Sequence, residues 1–155
     1  MMTKIRVTAD SLEQHHIFDL LSHHRQEMLK HSPPESVHAL KAEDLSKPNL
    51  QFWSAWIEDD FVGCGALKEL DASHGEIKSM KTVNKFLRRG VARAVLAVII
   101  IEAKKRCYTT LSLETGSMDV FVPARRLYLD FGFIECPPFA NYVEDPNSVC
   151  MSLTL

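Results

Sequence analysis

Residues 87–96 read Leu-Arg-Arg-Gly-Val-Ala-Arg-Ala-Val-Leu, and this stretch decides the interpretation of the chain. It predicts a short basic loop, with a glycine at position 90, that runs directly into a helix. The apolar positions of that helix are spaced by three and four residues: Ala92, Val95, Leu96, Ile99, Ile100 and Ala103. The first turn of a helix exposes unpaired backbone N–H groups and a partial positive charge. The loop therefore predicts an anion site, most often one for phosphate.

The segments around this helix predict a mixed α/β sheet. Strands are expected at 5–7, 50–57, 61–70, 76–83, 109–114, 133–136 and 149–153. Three further helices are expected: one that follows an N-cap at Ser11 and stops at Ser32-Pro33-Pro34, a short one over 36–45, and one over 121–130 with Pro123 in its first turn. The order β-α-α-β-β-β-α-β-α-β-β predicts a mixed sheet rather than a doubly wound one. At 155 residues, the chain suits one domain over 1–155.

Two glycines in the third predicted strand leave two interpretations open. Gly63 and Gly65 either weaken that strand or allow another element to approach its backbone closely.

Composition narrows the class of protein. The formal net charge is -2, which gives no electrostatic support for a nucleic-acid or membrane role. The longest apolar run, 95–101, is too short to cross a membrane, and the N-terminus lacks an apolar signal core. The four cysteines are far apart and form no CxxC pair, so free thiols in a reducing cytoplasm are expected.

The seven histidines do not predict a metal site. His15, His16, His23 and His24 lie on the first helix, but no HExxH motif is present and these side chains do not share one face closely. A solvated or substrate-facing helix is the expected interpretation, with no metal.

The second half of the chain resembles the GNAT (Gcn5-related) N-acetyltransferases. That family carries R/Q-x-x-G-x-G/A between a strand and a helix, and Gly90-Val91-Ala92 matches its second half, whereas Leu87 stands at the Arg/Gln position. Residues 124–133 match A-x-x-L-Y-x-x-x-G-F at every fixed position. Four shorter segments are similar to a bacterial subgroup of acetyltransferases: Gly-Ala-Leu-Lys at 65–68, Glu-Ile-Lys-Ser-Met at 76–80, Leu-Glu-Thr-Gly at 113–116 and Asp-Pro-Asn-Ser-Val at 145–149.

The resemblance implies a GNAT fold with a splayed central sheet and acetyl-CoA as co-substrate. The pyrophosphate would be bound by backbone N–H groups at Gly90, Val91 and Ala92, with Arg88, Arg89 or Arg93 supplying the charge that Leu87 does not. The pantetheine arm would lie along the preceding strand, at Met80, Lys81 and Thr82. An acceptor amine would attack the thioester directly, without a covalent enzyme intermediate.

The same resemblance implies the catalytic residues. An alkyl amine has a pKa of about 10.4 and arrives charged at neutral pH, so it must lose a proton before it attacks. Glu76 is the first candidate base and Glu114 the second, while Tyr128 would donate a hydrogen bond to the departing thiolate. His31, Glu35 and His38 are candidate acceptor contacts.

The acceptor is expected to be an amine of a small molecule or a peptide. A homodimer is also in keeping with the resemblance. The alternative function is a non-catalytic acyl-CoA sensor, or a GNAT-like subunit of a complex.

Overall fold

The computed structural model describes residues 4–37, 45 and 47–155. Its strands are β1 (Arg6–Asp10), β2 (Leu50–Ile57), β3 (Asp60–Asp71), β4 (His74–Thr82), β5 (Thr110–Gly116), β6 (Ile134–Cys136) and β7 (Ser148–Thr154). Its α-helices are α1 (His16–His31), α2 (Val91–Lys105) and α3 (Val122–Asp130), and short 3₁₀ turns lie at 34–36, 84–86 and 119–121. The predicted mixed α/β architecture is confirmed. The helix predicted over 36–45 lies almost wholly outside the described residues.

The seven strands form one sheet in the order β1-β2-β3-β4-β5-β7-β6. All neighbouring strands are antiparallel except β4 and β5, which run parallel. Helices lie on both faces of the sheet, and residues of β3 contribute to the core on each face. Cys64 and Ala66 pack with Ile17 and Leu21 of α1. Val62 and Leu67 belong to the larger core that contains α2.

The glycines of β3 allow α2 to lie close to the sheet. A Cβ added at Gly63 would lie 2.8 Å from Cγ1 of Val91, and one added at Gly65 would lie 2.7 Å from Cγ1 of Val95. Both distances are shorter than real Cβ contacts, so a side chain at either position would force the helix away. Of the two interpretations of this strand, close approach is the one that the structure shows.

The first helix starts later than the sequence predicts. The sequence favours Ser11 as its N-cap, but the helix begins at His16 and His15 precedes it. The Asp10 carboxylate accepts the backbone N–H of Leu12 over 2.8 Å, and Leu12 has φ 66°. This Asx-type turn keeps the segment around Ser11 out of the helix. The connection between the predicted strands 61–70 and 76–83 is also shorter in the structure, because β3 and β4 are joined by a tight hairpin at Ala72 and Ser73.

Candidate active site

A groove opens where β4 and β5 separate. The two parallel strands pair at only three levels, His74 with Thr110, Gly75 with Leu111 and Glu76 with Ser112. Beyond that point β4 continues to residue 82 and β5 to residue 116 without pairing to each other. The facing strand edges therefore keep backbone N–H and C=O groups that no described strand pairs, and such groups are ready to bind a ligand backbone. The splayed sheet expected from the resemblance is confirmed.

This groove has a volume of about 630 Å³, and it is lined both by the start of α2 and by Glu76 and Glu114 of the two strands. We call the part formed by Leu87, Arg88 and residues 90–93 the loop end. We call the part formed by Glu76, Lys78, Glu114 and Tyr142 the carboxylate end. Met80, Lys81 and Thr82 of β4 also line the groove.

The loop end has the conformation of an anion-binding turn. Gly90 has φ 87° and immediately precedes α2, and no atom lies within 4 Å of a Cβ built on it. Arg88 also has a positive φ, of 63°. Gly90, Val91 and Ala92 all line the groove, so the first turn of α2 faces it. The helix dipole and the free N–H groups of that turn favour a negatively charged group there.

The three candidate arginines differ in their surroundings. Arg88 lines the groove. The guanidinium of Arg89 lies 5.4 Å from the ring centre of Phe86, and Arg89 does not line the groove. Arg93 lines the groove but also forms an exposed ion pair with Asp130, with 2.9 Å between Nη2 and Oδ2. Of the three arginines, Arg88 and Arg93 thus line the groove and Arg89 does not.

Glu76 lies in a compact polar cluster at the carboxylate end. Its side chain is almost fully buried, at 2% exposure. Oε2 of Glu76 accepts a hydrogen bond from the Tyr142 hydroxyl over 2.6 Å and one from Lys78 Nζ over 3.3 Å. Lys78 Nζ also donates to the Tyr142 oxygen over 3.2 Å. One ammonium and one phenol therefore already satisfy this carboxylate oxygen.

Glu114, on the neighbouring strand, has a different environment. It faces the same groove at the end of β5. Burial, aided by the charge of Glu76, raises the pKa of Glu114 to about 7, although Lys78 opposes the shift. A carboxyl group with a pKa near 7 can hold a proton and release it at neutral pH.

Tyr128 of α3 also lines the groove. Its ring is 6% exposed and packs edge-on against Phe133, with 5.8 Å between ring centres. Burial and the charge of Glu114 raise the pKa of Tyr128 above that of a free phenol. Tyr128 therefore stays protonated at neutral pH and keeps an O–H to donate.

The first helix forms a wall of the groove with a stripe of side chains. Leu21, His24, Met28 and His31 are spaced by three and four residues on α1 and line the groove. Burial lowers the pKa of His24 to about 4, so this imidazole is neutral at pH 7. Of the candidate acceptor contacts, His31 lines the groove, Glu35 is exposed and does not, and His38 lies outside the described residues.

Sequence reasoning missed Lys78 and Tyr142. Lys78 has a usable signal, since it lies two residues after Glu76 on a strand and therefore points to the same face. Tyr142 has none, because it lies in the irregular β6–β7 loop (residues 137–147), 66 positions away from Glu76. Only the folded chain brings the two together.

In the part of the chain that the structure describes, no three His, Cys, Asp or Glu side chains are grouped so as to hold a metal ion. Within the same residues, no helix combines the length and the apolar character needed to span a membrane.

The chain matches the model of the acetyltransferase (GNAT) family over residues 16–133. It is 55% identical over 151 residues to the uncharacterized N-acetyltransferase YsnE of Bacillus subtilis, covering 97% of this chain and 100% of that protein. It is 46% identical over 149 residues to the uncharacterized N-acetyltransferase YedL of Escherichia coli, covering 96% and 94% of the two chains. Its fold is similar to that of a GNAT family acetyltransferase from Elizabethkingia anophelis solved with acetyl-CoA bound, with a TM-score of 0.70, 19% identity and coverage of 97% and 98%. The chain therefore belongs to the GNAT family of acetyltransferases.

Proposed function

We propose that this protein transfers an acetyl group from acetyl-CoA to an amine of a small molecule or a peptide, by direct attack of that amine. One observation carries the proposal: a single groove connects an anion-binding helix start with two carboxyl groups, one buried and one half-buried, and a protonated tyrosine. Donor and acceptor can therefore meet in one cavity. The family relationship and the acetyl-CoA in the Elizabethkingia structure support the choice of donor.

The residues present fit acetyl-CoA. The N–H groups at the start of α2, together with Arg88, suit the pyrophosphate. The unpaired edge of β4 at Met80–Thr82 suits the amide groups of the pantetheine arm, because both present backbone-type donors and acceptors. Acetyl-CoA supplies an acetyl group on a thioester and a thiolate as the leaving group. Glu114 and Tyr128 both line the groove, so an acyl group bound there could contact both side chains.

We propose Glu114 as the base, with Glu76 as its organising partner. Glu76 already accepts two hydrogen bonds on one oxygen, whereas Glu114 has a pKa near 7. An acceptor ammonium that enters the groove next to an ionised Glu114 can pass its proton to that carboxylate, directly or through a water. The Glu76 charge beside it raises the affinity of Glu114 for the proton.

Tyr128 completes the chemistry at the leaving group. Its hydroxyl stays protonated because burial and Glu114 oppose its ionisation. A phenol O–H can stabilise a thiolate by a hydrogen bond without full proton transfer. When the C–S bond breaks, its electron pair goes to the sulfur of CoA, and Tyr128 would supply the hydrogen bond that stabilises this thiolate.

Two measurements test the proposal. Acetyl-CoA and CoA should each raise the melting temperature of the protein. At a ligand concentration of a hundred times Kd, the free energy of unfolding should increase by about 2.7 kcal/mol. Release of CoA thiol should then depend on the amine offered in a panel of amino acids, polyamines and peptides. Tight acetyl-CoA binding without turnover on any amine would favour the acyl-CoA sensor, and the absence of a thermal shift with either ligand would remove the donor assignment.

A further inference from the structure

Two cysteines face each other across neighbouring strands at the edge of the sheet. Cys136 of β6 and Cys150 of β7 are direct partners in the antiparallel register, and both are free thiols. Directly opposed residues in such a pair have Cα atoms about 4.5 to 5.5 Å apart and side chains on the same face. A disulfide accepts Cα separations of about 4.4 to 6.8 Å, so the backbone already fits the bond.

The two thiols differ in access. Cys136 is half-buried on the outermost strand, where a small molecule can reach it. Cys150 is 8% exposed and lies on β7, which is covered by β5 on one side and β6 on the other. Burial raises the pKa of Cys150 to about 11, and proximity to Cys136 contributes to the shift. An accessible thiol beside a shielded one is the arrangement of an attacking and a resolving cysteine.

We propose that Cys136 and Cys150 are a modification site at which a low-molecular-weight disulfide forms a reversible cross-strand disulfide, and that this bond alters the carboxylate end of the groove. The Cys136 thiolate attacks one sulfur of the small disulfide and expels one thiolate, giving a mixed disulfide. The Cys150 thiolate then attacks Sγ of Cys136 and expels the second. Two protein thiols are oxidised, one small disulfide is reduced to two thiols, and the two cysteine protons go to the two leaving thiolates.

The carboxylate end responds because Cys150 lies beside it. Cys150 is the direct register partner of Glu114 on β5. The β6–β7 loop runs between the two cysteines in sequence and carries Tyr142, which donates to Glu76, and Phe139, whose ring centre lies 5.0 Å from that of Tyr142. A bond between Sγ of Cys136 and Sγ of Cys150 links the two ends of this loop covalently and repositions the side chain beside Glu114.

The experiment uses the full chain with Cys107→Ser, because Cys107 is exposed and would itself form a mixed disulfide with the oxidant. Cys64 needs no replacement, since its side chain is 1% exposed. The protein is incubated with oxidised glutathione and analysed by intact mass and by peptide mapping, without reductant. We expect a product two hydrogens lighter, with a peptide that joins Cys136 to Cys150, and full reversal by dithiothreitol. Adding Cys150→Ser should instead trap one glutathione on Cys136, and adding Cys136→Ser should prevent both products.

Ring closure from the mixed disulfide should accelerate about tenfold per pH unit below pH 11, because it needs the Cys150 thiolate. In the oxidised protein the acceptor KM should rise at least threefold while the Kd of CoA, whose pyrophosphate the proposed function assigns to the loop end, stays within twofold. Stable bis-glutathionylated protein, or no reaction at Cys136 at pH 9, would overturn the disulfide site. A Cys136–Cys150 disulfide that leaves the acceptor KM unchanged would contradict the proposed effect of the bond on the groove. The mass readout does not depend on the proposed acetyl transfer, so failure of that function and failure of this site are distinguishable.

Discussion

The Tyr142 hydroxyl donates a 2.6 Å hydrogen bond to Oε2 of Glu76, and this bond ties the β6–β7 loop to β4 at the carboxylate end of the groove. A hydrogen bond to a charged group is worth about 1.5–3 kcal/mol. Tyr142→Phe should therefore lower kcat/KM for the acceptor about tenfold or more, and leave the Kd of acetyl-CoA unchanged. Steady-state kinetics with a varied acceptor, beside calorimetric binding of acetyl-CoA, measure the two effects.

A matched control exists at the other end of the sheet. The Tyr108 hydroxyl donates to Oε1 of Glu69 over 2.8 Å, away from the groove. Tyr108→Phe should lower the melting temperature, but it should leave kcat/KM for the acceptor and the Kd of acetyl-CoA within twofold of the wild-type values. Equal kinetic losses in the two variants would contradict a specific role for Tyr142.

Replacement of Glu114 should change the pH profile of the reaction. Because the base must be ionised, kcat/KM of the wild type should rise with pH and level off above an inflection near pH 7. Glu114→Gln should lower the plateau by about a hundredfold or more and abolish the inflection. Glu76→Gln is the comparison: it should keep an inflection, moved to lower pH, because the Glu76 charge helps to raise the pKa of Glu114. A Glu114→Gln profile that keeps its inflection would assign the base elsewhere.

The same carboxyl group should make stability depend on pH. Its pKa is about 7 in the folded protein and 4.5 for a free glutamate side chain, so the folded state binds the proton more tightly. The stabilisation is fully present below about pH 4.5 and is lost as the pH rises through 7. The difference in unfolding free energy between wild type and Glu114→Gln should thus fall by roughly 3 kcal/mol from about pH 4 to about pH 8. Urea unfolding at both pH values measures it, and a constant difference would mean that Glu114 titrates normally.

Tyr128→Phe should act on the leaving group rather than on binding. Phenylalanine retains the edge-on packing against Phe133, so the fold should persist. We expect kcat to fall about 10²-fold, with the Kd of acetyl-CoA within twofold, because only the departing thiolate uses the hydroxyl. An acetyl thioester of a more acidic thiol should lose less rate than acetyl-CoA. An equal loss with both donors would remove Tyr128 from the leaving-group role.

Adjacent arginines provide a paired test of the loop end. Arg88→Gln should weaken CoA binding about tenfold, because Arg88 lines the groove and a charged hydrogen bond to phosphate is lost. Arg89→Gln should change the Kd less than twofold, because Arg89 lies over Phe86 and away from the groove. Titration calorimetry with CoA and with pantetheine, which lacks the pyrophosphate, measures both. Loss of pantetheine binding in Arg88→Gln would indicate damage to the loop instead of a lost phosphate contact.

Local patterns in the sequence predict most of the elements. The three- and four-residue spacing in α2 and the glycine before it define a helix start of recognisable chemistry, and the match at 124–133 adds Tyr128. These signals are contained in stretches of about ten residues. The predicted start of α1 is wrong because Asp10 bonds to the N–H of Leu12 and turns the chain first, a local competition that Ser11 alone does not reveal.

The tertiary structure decided how the groups of the site divide their tasks. Glu76 and Glu114 are both plain strand carboxylates in the sequence, yet one is buried and accepts hydrogen bonds from Lys78 and Tyr142, and the other is half-buried with a pKa near 7. That division depends on burial and on a contact between residues 66 positions apart. The sequence by itself determined the helix start and the apolar faces, because these depend on the backbone and on near neighbours. The proton affinity of a carboxyl group depends on its burial and on the charges and hydrogen-bond partners that replace its hydration shell, and only the fold specifies these.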